Sequence, residues 1–193
     1  NNHLILLAEN FTGYKNLMKL VTAGYLEGFY YRPRIDIDLL RQYNEGLICL
    51  SACLKGEIPE KMLKGDYEGA KKAALRFSEI FPDRFYLEIQ NHGIAEEEAN
   101  IINMKKLAND LNLPLVCTND AHYAKQDHWE AHDIHICLGT GKERSDPNRL
   151  RYATPEFYFK SQDQMYTLFK DFPNAIENSR LIADRVDMTL PMG

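Results

Sequence analysis

No run of about 18 apolar residues, the length that spans a bilayer, occurs anywhere in the 193-residue chain. The opening Asn1-Asn2-His3 also lacks the basic-then-apolar order of a secretory signal. Together these absences lead to the expectation of a soluble, cytoplasmic protein with no membrane partner. Positive charge is short as well: 23 Lys and Arg against 28 Asp and Glu leave a formal net charge of -5. That is the wrong sign for a surface that holds nucleic acid through its phosphates alone, so any role on DNA rests on a defined site or on other domains. There are no internal repeats, no low-complexity tracts, no G-x-S-x-G nucleophile elbow and no glycine loop shaped to cradle phosphate. The four cysteines, Cys49, Cys53, Cys117 and Cys137, form neither a C-x-x-C pair nor the spacing of a small disulfide scaffold. Reduced thiols are the default, and Cys49, Cys117 and Cys137, lying in apolar stretches, are expected as small core residues.

What is present suffices for a core: 45% of the residues are hydrophobic and 11% aromatic, enough for one domain or one large domain fragment. Apolar runs alternate with longer amphipathic stretches, the order of parallel strands joined by crossover helices, and the class expected is α/β. The strand-like runs are residues 4–8, 46–50, 85–89 and 115–118. Thr12 is the candidate cap of the first helix, and a short helix carries Leu39, Leu40 and Tyr43. Asp66 caps a helix in which Ala70, Ala73, Ala74, Phe77 and Ile80 recur at helical spacing. The next helix, 96–111, begins with Glu96, Glu97 and Glu98, expected as a solvated first turn whose charges complement the helix dipole. Further helices are expected near 126–138, 161–170 and 173–186, with a polar connection over 139–151. Such an order suits a doubly wound sheet or part of a barrel, and in either case function belongs at the carboxyl ends of the strands.

Three of the four runs end in residues able to carry chemistry. Asp120 and His122 stand two apart at the end of an extended segment, so their side chains project to one side and can grip a cation. The same spacing also serves an aspartate capping the following turn beside a loop histidine. Cys53, just past the second run, reads either as a thiolate ligand or as a structural thiol. His92 closes the third run. His3 precedes its strand, so the strand-end rule does not favour it. His128, His132 and His135 share one helix face and have the geometry to bind metal. Trp129, Ile134, Ile136 and Leu138 on that helix favour packing or support of a neighbouring site instead.

Five ordered motifs then carry a resemblance. His3-Leu-Ile-Leu-Leu-Ala-Glu-Asn-Phe-Thr-Gly-Tyr, Glu27-Gly-Phe-Tyr-Tyr-Arg-Pro-Arg, Leu50-Ser-Ala-Cys-Leu-Lys-Gly-Glu-Ile, Thr118-Asn-Asp-Ala-His-Tyr and Phe157-Tyr-Phe-Lys-Ser follow one another along the chain. In that order they resemble the PHP domain (polymerase and histidinol phosphatase family) of bacterial DNA polymerase III alpha subunits. The resemblance implies part of a distorted (β/α)7 barrel resembling a TIM barrel, with its first strands missing. Residues 1–150 would be the central and C-terminal part of that domain, and 151–193 its closing helices leading toward the polymerase palm. It implies His3, Cys53, Asp120 and His122 as metal ligands for Zn2+ or Mn2+, in a site holding up to three ions. Asp120 and His122 would serve catalysis as well, with His92 at the rim and His132 in support. The family's remaining ligands would stand upstream of Asn1, and the Mg2+-dependent polymerase carboxylates beyond Gly193.

The functions implied are DNA synthesis by the parent, on DNA with deoxynucleoside triphosphates, and a PHP module with one of two roles. It would perform 3′–5′ exonucleolytic proofreading, or it would dock a separate proofreading exonuclease subunit among the other replicase subunits. The fragment alone would be inactive. The alternative is a free-standing PHP phosphatase acting on a small phosphomonoester such as histidinol phosphate.

Overall fold

The computed structural model describes residues 1–190. Strand β1 (Ile5–Ala8) leads into helix α1 (Phe11–Leu26). The cap of α1 is Asn10, not the expected Thr12: the Asn10 backbone is extended and its side chain accepts the Gly13 N–H at 3.0 Å. Gly13 lies so close to Gly46 that a Cβ would stand 1.8 Å from the Gly46 carbonyl oxygen, which excludes any side chain at that crossing. Helix α2 (Ile37–Gln42) then delivers the chain to β2 (Leu47–Leu50).

Helix α3 (Glu57–Leu63) is additional to the expected elements; at 7 residues it is too short for periodicity to reveal, and Pro59 sits in its first turn, where proline is tolerated. Next come α4 (Tyr67–Ile80), capped by Asp66 as expected, β3 (Phe85–Ile89), α5 (Ala95–Leu111) and β4 (Leu115–Cys117). A 3-10 turn, Gln126–His128, opens onto α6 (Trp129–Thr140), and α7 (Gln162–Leu168) and α8 (Pro173–Asp184) complete the order. None of the described helices is long and apolar enough to cross a membrane.

The α/β expectation holds, and β2, β3 and β4 are parallel as predicted. Strand β1 departs from it, pairing antiparallel with β2 from Ile5↔Leu50 to Ala8↔Leu47. The chain leaves β1 through α1 and returns through α2 to the end where β1 finished, as the bond from Glu9 N–H to Gly46 O at 2.9 Å records. Among the described residues the four strands form an open mixed sheet in the order β1-β2-β3-β4, not a closed barrel.

One face of the sheet, with Leu47, Cys49, Phe85, Leu87, Ile89 and Cys117, packs against α3, α4 and α5 through Ile58, Met62, Ala73, Phe77, Met104 and Leu107. Cys49, Cys117 and Cys137 are buried, as expected. Burial pushes the Cys117 thiol up to about 12 and raises that of Cys49 as well, so neither is a ready thiolate. On the opposite face Ile48, Leu50, Tyr86 and Val116 gather under Ile182 of α8. Helix α8 also covers the outer edge of β4. Asn178 Nδ2 donates to Leu115 O at 2.7 Å and Ser179 Oγ to Cys117 O at 2.8 Å, so carbonyls that a neighbouring strand would otherwise take are satisfied.

Candidate metal-binding strand ends

The reversed β1 removes the objection to His3. Because β1 runs against its neighbours, its beginning lies at the carboxyl ends of β2, β3 and β4. The His3 N–H donates to Lys55 O at 2.9 Å, and His3 bridges to Gly56 just beyond Cys53. Ala52 takes a left-handed backbone, φ 66°, that turns the chain sharply out of β2. Cys53 Sγ then lies 3.7 Å from His3 Nδ1.

On the far side of β3, Asp120 Oδ1 stands 3.2 Å from His122 Nε2. Two of the sequence motifs meet here. His122 N–H donates to Phe157 O at 2.7 Å, Phe159 N–H to Tyr123 O at 3.0 Å, and Asn119 Nδ2 to Tyr158 O at 2.9 Å. The Phe157–Phe159 segment therefore pins the loop carrying Asp120 and His122. The Tyr152 hydroxyl lies within 3.2 Å of both His122 ring nitrogens, and the His132 ring packs at 5.7 Å from that of His122. Burial, and after it His122 and His135, hold His132 below the ordinary histidine range. His128 and His135 are exposed, and His132 alone of the three helix histidines reaches the Asp120–His122 loop.

His92 is no rim residue. It is 1% exposed, stacked on Phe157 at 4.3 Å, and both ring nitrogens are engaged. Nδ1 lies 2.9 Å from Glu97 Oε1, and Nε2 accepts the Asp120 backbone N–H at 3.2 Å. With Nε2 accepting the Asp120 N–H and Nδ1 set against Glu97, neither ring nitrogen faces an open position for a metal. The role of His92 is to hold Asp120 by the backbone. Glu97 accepts from the His92 N–H at 2.6 Å as well, so the solvated first turn expected of Glu96-Glu97-Glu98 holds for two of the three, while Glu97 is 4% exposed.

Glu88, inside the apolar run of β3, carried no signal in the sequence. It is buried on the face whose carboxyl end turns polar, hydrogen-bonded to the Thr118 hydroxyl and to Gln90 Nε2 at 3.1 Å, with Oε2 left without a partner. Burial first, with the negative charge of Asp120 adding to it, pushes the Glu88 carboxyl above its ordinary value; the Thr118 hydrogen bond opposes this. Among the described residues, no three or more His, Cys, Asp or Glu side chains converge as a single metal cluster. The donors stand as two separated pairs, His3 with Cys53 and Asp120 with His122.

Imidazole, thiol and carboxylate side chains thus stand in pairs at the carboxyl ends of an α/β sheet, and relatives give that arrangement a family. Residues 1–92 match the model of the PHP domain family. Over 185 residues, 96% of this chain, it is 50% identical to the DNA polymerase III subunit alpha of Borreliella burgdorferi. It is 47% identical over 190 residues to that of Treponema pallidum and 43% identical over 202 aligned positions to that of Campylobacter jejuni. Residues 1–92 thus carry a PHP domain, and the chain as a whole is similar to DNA polymerase III alpha subunits. It spans 16% of the length of the Borreliella and Treponema relatives.

Two outcomes follow from the buried groups. Replacing His92 by Ala, or more gently Glu97 by Gln, is expected to speed hydrogen exchange at the Asp120 amide by up to about tenfold, the worth of one hydrogen bond. Unchanged exchange in both variants would show that the relay does not hold the loop. A carboxyl whose folded pKa is raised binds its proton more tightly when folded, so the stability it contributes is fullest below its unfolded value of 4.5 and is lost as pH rises through the raised value. Glu88→Gln is therefore expected to raise the melting temperature near pH 7.5 by about 2–4 °C, the equivalent of about 1 kcal/mol in a chain of this size. Near pH 4 the gain should vanish, and an equal gain at both pH values would contradict this assignment.

Proposed function

We propose that the chain is part of the metal-binding PHP module of a bacterial replicative DNA polymerase III alpha subunit, one arc of a distorted (β/α)7 barrel. The observation that carries this reading is the spacing within the two strand-end pairs. On one tetrahedral zinc ion, a histidine nitrogen and a cysteine sulfur stand about 3.5 Å apart, and a nitrogen and a carboxylate oxygen about 3.3 Å apart. The pairs measure 3.7 Å and 3.2 Å, so each fits two corners of one coordination sphere.

His3 and Cys53 would hold one ion and Asp120 and His122 another, with Zn2+ or Mn2+ suited to this mixed donor set and up to three ions in the complete module. Bound there, such ions supply Lewis acidity toward a phosphodiester oxygen and lower the pKa of a coordinated water. The protein's own part is positional. Glu97 fixes His92, His92 fixes the Asp120 backbone, the Phe157–Phe159 segment anchors the loop, and Tyr152 restrains the His122 ring.

The reaction supported best is metal-dependent 3′–5′ hydrolysis at a DNA end. A module used only to dock a separate proofreading exonuclease subunit has no need of donor pairs at metal-ligand spacing. The parent would extend DNA with deoxynucleoside triphosphates at a Mg2+-dependent site outside this chain, in the cytoplasm and in company with other replicase subunits.

Elemental analysis of the purified protein beside Asp120→Ala/His122→Ala and His3→Ala/Cys53→Ser variants tests this directly. Bound zinc or manganese is expected in the unsubstituted protein, with each double variant losing about one ion. Full metal content in both variants, or none in the unsubstituted protein, would remove the metal reading.

A further inference from the structure

Arg32, Arg34 and Lys55 gather along one wall beside His3. Two of the three acids on that wall are paired with cations. Glu57 pairs with Arg76 at 2.5 Å, Glu60 with Lys64 at 2.5 Å and with Asn2 at 2.6 Å, and the Asp36 side chain caps α2 at the Leu39 N–H. Among the described residues Arg32 and Lys55 have no carboxylate partner, while Arg34 meets the Asn1 side-chain oxygen at 3.3 Å and the Tyr30 ring at 4.9 Å. A chain of net charge -5 thus gathers Arg32, Arg34 and Lys55 against one acid without a cation partner, Asp36, next to a donor pair.

Aromatic rings extend the wall outward. Phe29, Tyr30 and Tyr31 are 57%, 61% and 84% exposed. The rings of Tyr30 and Tyr31 meet edge to face at 4.6 Å, and Phe29 stacks on Tyr25 at 6.3 Å. Tyr31 holds a left-handed backbone, φ 60°, a conformation costly for a bulky residue, and its ring is the most exposed of the set. Glu27 is the one acid in the stretch from Tyr25 to Arg34. Exposed rings interleaved with free cations are the two elements that bind a single nucleic-acid strand, the rings by stacking on bases and the cations by pairing with phosphates.

We propose that residues 29–34, with Lys55, seat single-stranded DNA and direct its end toward His3 and Cys53. Tyr30 and Tyr31 take the bases; Arg32, Arg34 and Lys55 take the phosphates. The direction of the strand end rests on the phosphodiester reading of the strand-end pairs. Strand binding itself does not, and it is measured without metal.

The test is photocrosslinking of the full-length protein to an oligothymidylate carrying 5-iododeoxyuridine, in the presence of EDTA, with adducts mapped by mass spectrometry. Adducts on Tyr30 or Tyr31 are expected, reduced about tenfold or more by Arg32→Glu/Arg34→Glu, and competed by single-stranded DNA better than by duplex. Absence of adducts in residues 29–34, or adducts indifferent to the charge reversal, would overturn the proposal. So would protection of Tyr31 from iodination without DNA, the mark of a loop covered by protein. Because chelator is present throughout, loss of the metal reading leaves this result standing, and the converse holds too.

Discussion

Four register pairs, Ile5↔Leu50 to Ala8↔Leu47, hold β1 antiparallel to β2, and the arrangement of donors depends on that pairing. In a parallel β1, His3 would sit at the amino ends of the strands, a strand length from Cys53. Reversed, it lies where β2, β3 and β4 all finish, and the chain delivers His3, Cys53, His92, Asp120 and His122 to one end of the sheet. The reversal is itself held in place by the close passage of Gly13 over Gly46, which lets α1 and the turn before β2 meet without a side chain between them.

Behind the donors the structure uses buried polar groups in two different ways. His92 and Glu97 are both buried, and each hydrogen-bonding atom they present to the other or to the backbone is satisfied, so the desolvation they suffer is matched by bonds that fix Asp120. Glu88 is buried beside Asp120, and burial together with that negative charge raises its carboxyl above the ordinary value. Phe157 joins the two halves of the site, stacking on His92 while its carbonyl accepts from the His122 amide, and α8 closes the open edge of β4 beside them.

Much of this was legible in the chain. The run at 85–89 is the strand β3 that was expected, Asp66 caps α4, and the D-x-H and S-A-C segments lie at strand ends where α/β folds keep their chemistry. Periodicity reports which residues face a core and nothing about strand direction, so the reversal of β1 leaves no mark in the sequence, where His3 has support only from family resemblance. Three consecutive glutamates at a helix start look alike in sequence, while the helix turn aims only the middle one, Glu97, at His92. Glu88 was hidden among apolar neighbours in β3, and α3 was too short to show a period.

On the metal reading proposed above, the antiparallel β1 makes His3 and Cys53 two ligands of one ion. Cobalt(II) titration of the metal-stripped protein, followed by absorption spectroscopy, tests it most directly, because a thiolate bound to cobalt gives an intense near-ultraviolet charge-transfer band. That band is expected in the unsubstituted protein, with its loss in Cys53→Ser and a weakened band with lower cobalt affinity in His3→Ala. A band absent from the unsubstituted protein, or unaltered in His3→Ala, would contradict it.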